Sequence, residues 1–432
     1  MSEMPGGAAG VPQILSRAFW RGPLAILFLG LVTVGVSRSM LFAVLPPIAR
    51  EIGLTEVLVG LMFAAAAAMF ALTSPVWGRV ADARGRVFVI AVGLCGFGLM
   101  MLPFTGAIAL AQTGLLPVWA VFLALFVPRV LSAAASAAVF PGAQAYVADT
   151  TTAIDRTAGT SLVAAAMGFG LVAGPGIAGL MTGFGLLTPM YMAAGLGILG
   201  GIMAWRLLPE PPRRVRRDGE DAVPPLRLRD QRIFAMLPLS ASISMMVAVT
   251  QQTSAFYFQD ILGLDAAGTA QATGTALMAM AGATLLVQTM IVQRFRLTPP
   301  VLIYSGLVLG IAAYAVLTLA GSFLTLTTGL VMVGIAFGMA NPGIAAAISL
   351  SVSPDEQGQA AGFNSSMSAT GFMVGSLVGP GGYTLMADLP HYFGLIALSL
   401  MLTAALFYSF PRPDVHLGGA GEVYGKTDIP DV

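Results

Sequence analysis

Long apolar runs broken by short polar segments set the pattern of this chain. Twelve runs are long enough for a helix to cross a hydrocarbon core, which takes about 20 residues. They cover roughly residues 23–49, 57–77, 87–110, 118–147, 158–183, 187–208, 234–258, 268–293, 300–320, 323–349, 359–386 and 390–411. No long stretch alternates strictly between apolar and polar positions, so a membrane β-barrel is not expected. The longest hydrophilic break, PEPPRRVRRDGEDAVPPLRLRDQ from Pro209, mixes prolines with both signs of charge and reads as a surface linker. The pattern therefore predicts an all-α membrane protein of twelve helices. Its parts are a tail (1–22), a six-helix half (23–208), a linker (209–233), a second six-helix half (234–411) and a second tail (412–432).

Composition supports this reading. The chain is 57% hydrophobic and 9% charged, whereas a soluble protein carries roughly 25% charged residues. The first apolar run is longer than the ~7–15 residue core of a secretory signal, so no cleavable leader is expected. Placing the charges gives an orientation. With both termini cytoplasmic, 18 of the 21 Lys and Arg residues fall on the cytoplasmic side. Arg50 falls in an outer loop, and Arg38 and Arg129 lie inside apolar runs. The basic linker sets this topology, and the protein's surroundings are membrane lipid. One cysteine, Cys95, excludes an internal disulfide, and His391 and His416 are too few and too far apart for a metal cluster. No metal, cofactor or nucleic-acid partner is expected, and a monomer is the simplest assembly.

Three motifs narrow the picture. Residues 78–86 read GRVADARGR. Gly78, Asp82, Gly85 and Arg86 resemble the G-x-L-A-D-x-x-G-R signature that joins the second and third helices of the major facilitator superfamily, with Val80 where Leu is usual. In the fifth run, GFGLVAGPGIAG (168–179) carries Gly170, Gly174, Pro175 and Gly179, and resembles the Gly-Pro motif of drug:proton antiporters. GFMVGSLVGPGG (371–382) repeats it in the eleventh run, and an internal repeat of this kind marks secondary transporters. Arg129 resembles the fourth-helix arginine of the same superfamily, although Ala133 stands where a glycine is usual. The following YVADTTTAIDR looks like the matching stretch of tetracycline-type exporters. The resemblance implies two pseudo-symmetric six-helix halves around a central cavity lined by the first and fourth helices. It also implies that Asp82 holds against the start of the eleventh helix in one state and releases in another.

Arg38 and Arg129 carry the substrate question. An arginine at the bilayer centre costs about 2.5–3.5 kcal/mol on insertion scales. Counting ~1.5 Å per residue from the ends of their runs puts the two at similar depth. No Asp or Glu lies deep in any run, so an anionic or carboxylate-bearing substrate is a direct reading. A structural, snorkelling role is the alternative. The missing acid also bears on energy coupling to a proton gradient. Asp149 and Asp260, at the ends of their runs, are the nearest candidates, and both are also explained as interface residues. The substrate could instead carry the proton. Gln251, Gln252 and Tyr257 in the seventh run, Asn341 in the tenth, and Asn364 and Ser368 in the eleventh could contact substrate, with helix–helix hydrogen bonding an equal explanation.

The expectation is a secondary transporter in a bacterial inner membrane. It would export a small drug-like or anionic molecule by alternating access, with the proton gradient as energy source. A proton symporter or anion exchanger for a small organic acid is the runner-up. A non-transporting receptor would need a soluble domain, and the ~23-residue linker is too short for an independent core. A membrane enzyme would need a buried acid pair or a His–Glu cluster, and neither is visible.

Overall fold

The computed structural model describes residues 22–151, 156–212, 226–295, 297–353 and 356–407. The two tails and the middle of the linker lie outside the described residues. The first half comprises α1 (Pro23–Glu51), α2 (Glu56–Arg84), α3 (Arg86–Ala111), α4 (Val118–Ser136), α5 (Val139–Thr150), α6 (Arg156–Met181) and α7 (Thr188–Leu207). The second comprises α8 (Met236–Leu262), α9 (Ala266–Leu286), α10 (Gln293–Phe295), α11 (Pro299–Thr318), α12 (Phe323–Leu350), α13 (Gln357–Leu385) and α14 (Leu389–Phe407). Among the described residues there is no strand. Joining α4 to α5 and α9 to α10 gives twelve rods.

Local sequence explains the starts. Prolines occupy the first turns of α1, α7 and α11, where a missing N–H goes unused. The Asp265 carboxylate accepts from Gly268 N at 2.8 Å to begin α9, and Ser322 and Thr325 form a reciprocal cap on α12.

Three features depart from the sequence reading. First, GRVADARGR is not a loop. Helix α2 runs through Arg84, and only Gly85, at φ 113°, breaks it before α3 begins at Arg86. The charged residues suggested a break, but the hydrogen-bonded helix simply extends beyond the apolar run. Second, the fourth rod is interrupted at Ala137–Ala138. Trp77 Nε1 and Thr73 Oγ1 both donate to Ala134 O, at 2.7 and 3.4 Å, and Ala138 N turns to Ala135 O instead. An inserted donor of this kind breaks the helical ladder. Third, ten helices or helix pairs are long and apolar enough to cross a membrane, and α8 and α13 are not among them. Helix α8 is rich in Ser, Thr and Gln, and α13 in Gly, Ser and Gln, and much of α8 is buried inside the bundle.

The packing repeats between halves. Helix α6 lies against α1, and α13 lies against α8 in the same way. Gly170 approaches Gly35, where an added Cβ would sit 2.6 Å from the Gly35 Cα, and Ser39 Oγ donates to Gly170 O at 3.0 Å. On the other side Gly371, Gly375 and Gly379 meet the backbone of Ala241, Met245 and Val249. Small residues permit these close backbone approaches. The halves meet along a seam where α6 packs on α9 and α13 packs on α2.

Candidate functional site

The seam has two ends. One carries Arg50 and the α1–α2 turn, the other carries residues 78–86 and the linker. At the Arg50 end the halves are locked. Arg50, in the last turn of α1, makes a two-pronged ion pair with Asp260 of α8, at 2.6 and 3.1 Å, and a second pair with Glu56 at 2.7 Å. It also donates to Gln259 at 3.2 Å and lies 4.7 Å over the Phe256 ring. The Tyr383 hydroxyl of α13 donates to Asp260 at 2.5 Å. Nearby, a Cβ on Gly60 of α2 would collide with Ser376 O and touch Pro380 of α13. Gly179 and Gly274 close the α6–α9 contact at the same end. Of the predicted motif, Gly170 and Gly174 therefore face α1, while Pro175 and Gly179 face α9 across the seam.

At the linker end, Asp82 is exposed and pairs within its own half, with Arg86 at 2.5 Å, one helical turn away. Arg86 also binds Asp149 at 3.0 Å. Glu210 accepts from Arg86 N and from Val87 N, at 3.0 Å for the latter, capping α3 with a carboxylate where the helix dipole is positive. Gly85 is required twice here: its φ is one that side chains rarely adopt, and a Cβ would meet the Glu210 carboxylate at 2.7 Å. Around Gly78, Gly358 and Gly362 a Cβ would meet nothing within 4 Å.

Between the two ends sit the predicted arginines. Arg129 is 7% exposed, and its Nε is buried with no hydrogen-bond partner. Its guanidinium lies 5.4 Å over the Phe63 ring, and that of Arg38 lies 4.5 Å over Phe70. Phe63 and Phe70 are two turns apart on one face of α2. The two arginines reach the same helix from different neighbours, Arg38 from α1 and Arg129 from α4, each against a ring of α2. Neither arginine has an ion pair among the described residues. Every described carboxylate lies at a helix end or in a connection. One turn beyond Arg38, Phe42 stacks on Phe63 at 5.2 Å and meets Phe372 of α13 edge-on at 6.3 Å, across the seam.

A profile of the Major Facilitator Superfamily matches residues 27–376 and 291–423. The chain belongs to the major facilitator superfamily. This transporter is 26% identical over 394 residues to multidrug resistance protein 1 of Bacillus subtilis, covering 90% of the chain and 96% of that relative. It is 28% identical over 186 residues to the quinolone resistance protein NorA of Staphylococcus aureus, 43% of the chain and 45% of NorA. A bacterial homologue of the human lysosomal transporter Spinster, in an inward-facing and unoccupied conformation, shares the fold at TM-score 0.68 and 16% identity, covering 90% of this chain and 95% of its own.

The remaining predicted site residues of the transporter are dispersed. Gln252 is fully buried and donates to Ser376 at 3.3 Å within its own half, leaving its Oε1 without a partner. The Tyr257 hydroxyl donates to Ala387 O, and its ring stacks 4.1 Å from His391, so it belongs to the second half's interior. Ser368 pairs with Ser240 at 2.7 Å, and Asn364 Oδ1 is buried without a partner. Gln251 and Asn341 are half-buried. Asp149 and Asp260 are both committed to arginines. Sequence reasoning missed Glu56, Glu210, Phe42, Phe63, Phe70 and Phe372. The i, i+7 spacing of Phe63 and Phe70 was the available signal.

Proposed function

We propose that the protein exports a small organic molecule by alternating access, rocking its two halves about the Arg38–Arg129 level. The observation that carries this reading is the unequal locking of the seam. At the Arg50 end, Arg50 pairs with Asp260 across the halves, and Gly60 of α2 lies against Ser376 and Pro380 of α13. At the linker end, the ion pairs of Arg86 and of Arg232 each stay within one half. A seam whose cross-half ion pairs gather at one end suits a rocking joint, with the Arg50 end the closed one. In the opposite state Asp82 would reach the start of α13. The multidrug and quinolone resistance relatives favour export over uptake, in a bacterial inner membrane. The proton gradient supplies the energy, with the proton travelling on an acidic substrate or on Asp149 or Asp260 after release from arginine.

Spin-label distances test the rocking. In a Cys95→Ala background, one pair at Val57 and Leu385 reports the Arg50 end, and a pair at Arg79 and Gln357 reports the linker end; all four positions are exposed. In lipid nanodiscs the reading predicts two populations with reciprocal distances, short–long and long–short. A single population at both ends under every pH and ligand condition would count against it.

A further inference from the structure

We propose that Arg38 and Arg129, with Phe42, Phe63, Phe70 and Phe372, form a binding site for an aromatic organic anion, a ring system bearing a carboxylate or sulfonate. The inference rests on the transporter reading for the meaning of the seam, but binding to the site does not require transport.

The charge comes first. Two guanidiniums, Arg129 buried and Arg38 half-buried, lie against two rings on one face of α2 and have no ion pair among the described residues. A buried cation without a counter-ion is strongly unfavourable, and a buried Nε–H with no acceptor adds to it. Stacking each cation over a phenylalanine ring offsets only part of this. A guanidinium stacked by its face keeps its in-plane N–H donors for an acceptor, and carboxylates and sulfonates match that fork. An anion between the arginines supplies both the missing acceptor and the missing counter-charge. A cation would add a third positive charge.

The rings set the remainder of the ligand. Phe42, Phe63 and Phe372 make an apolar aromatic wall one turn from Arg38, built from both halves. Flat rings fit between such faces in offset or edge-on geometry better than a flexible alkyl chain does. A ligand with a charged end and an arene end therefore satisfies the two sets of residues together. Because Phe372 alone comes from the second half, the ring end is the part of the ligand that senses the relative position of the halves.

The test is calorimetric binding and thermal unfolding of the detergent-purified full chain with three probes: 2-naphthalenesulfonate, octanesulfonate and (2-naphthylmethyl)trimethylammonium. The naphthalenesulfonate is expected to bind tightest and to raise the unfolding temperature, and the ammonium to do neither. Arg38→Gln and Arg129→Gln should each weaken it by about tenfold or more, the loss of one charge-assisted hydrogen bond. Without ligand, the same variants should unfold at the same or a higher temperature, since each removes an unpaired charge. An arginine with a purely structural role would do the reverse. Phe372→Leu, which removes the ring contributed by the second half, should weaken the naphthalenesulfonate and leave the octanesulfonate unchanged. Equal binding of the ammonium, unchanged affinity in the arginine variants, or a lower ligand-free unfolding temperature with intact affinity would overturn the site. Equal binding of octanesulfonate would overturn its aromatic part. Anion binding without any flux would sink the transporter reading and leave the site standing, while flux of the ammonium without anion binding would do the opposite.

Discussion

Charged residues in this protein fall into two kinds, those that find partners and those that do not. Arg232 shows the first. It binds Asp230 at 2.8 Å and Glu356 at 2.9 Å, tying the end of the linker to the start of α13. With Ser353 also donating to it, the Glu356 carboxylate is held down to about 2, and Asp230 is lowered for the same reason. A carboxylate whose proton affinity falls on folding contributes stability above its ordinary range, and that contribution is lost as pH drops toward the folded value. Amide protection of residues 226–236, corrected for intrinsic exchange, should therefore be flat from pH 8 to 5 and decline below about 4.5. Arg232→Gln should reproduce the decline at pH 7. Loss of protection already near pH 6, or an unaffected variant, would contradict the tie. Arg38 and Arg129 are the second kind. Their lack of an ion pair was legible in the sequence, because the surrounding runs are apolar and acids are absent from them. The partnership of Arg50 with Asp260 was not legible, because 210 positions separate the two and only the packing of α1 on α8 brings them together.

At the scale of the element, glycine position decides what each helix does. Gly170 and Gly371 let α6 and α13 lie against partners in their own halves, while Gly60, Gly179 and Gly274 serve the seam. The repeated Gly-Pro motif signalled close packing in the sequence, but its own-half and cross-seam targets could be told apart only in three dimensions. The end of α2 was misjudged for a related reason: charge marks the end of an apolar run, while the helix itself continues until Gly85. Gly60→Val should wedge α2 from α13 at the Arg50 end. Overpacking costs typically about 1–3 kcal/mol, which acts only on the state closed at that end. The Val57–Leu385 label distance should shift toward its longer population, with the Arg79–Gln357 distance shortening in step. A uniform fall in stability with no change in either distribution would show that Gly60 is a packing residue alone.

For the whole molecule, the all-helical class was legible in the long apolar runs, and the major facilitator family in the resemblance of residues 78–86 and the Gly-Pro motif. The cargo was less so, because the proposed site draws on α1, α2, α4 and α13, whose spacing in the chain carries no periodic signal. The central proposal is that two halves locked at the Arg50 end rock to move an organic anion past two unpaired arginines. Flux of 2-naphthalenesulfonate through reconstituted proteoliposomes tests it most directly. Saturable flux above empty liposomes is expected, with the rate falling by about tenfold or more in Arg129→Gln. Wild-type protein that passes no anion, with or without a proton gradient, or a variant that transports as fast as the wild type, would contradict it.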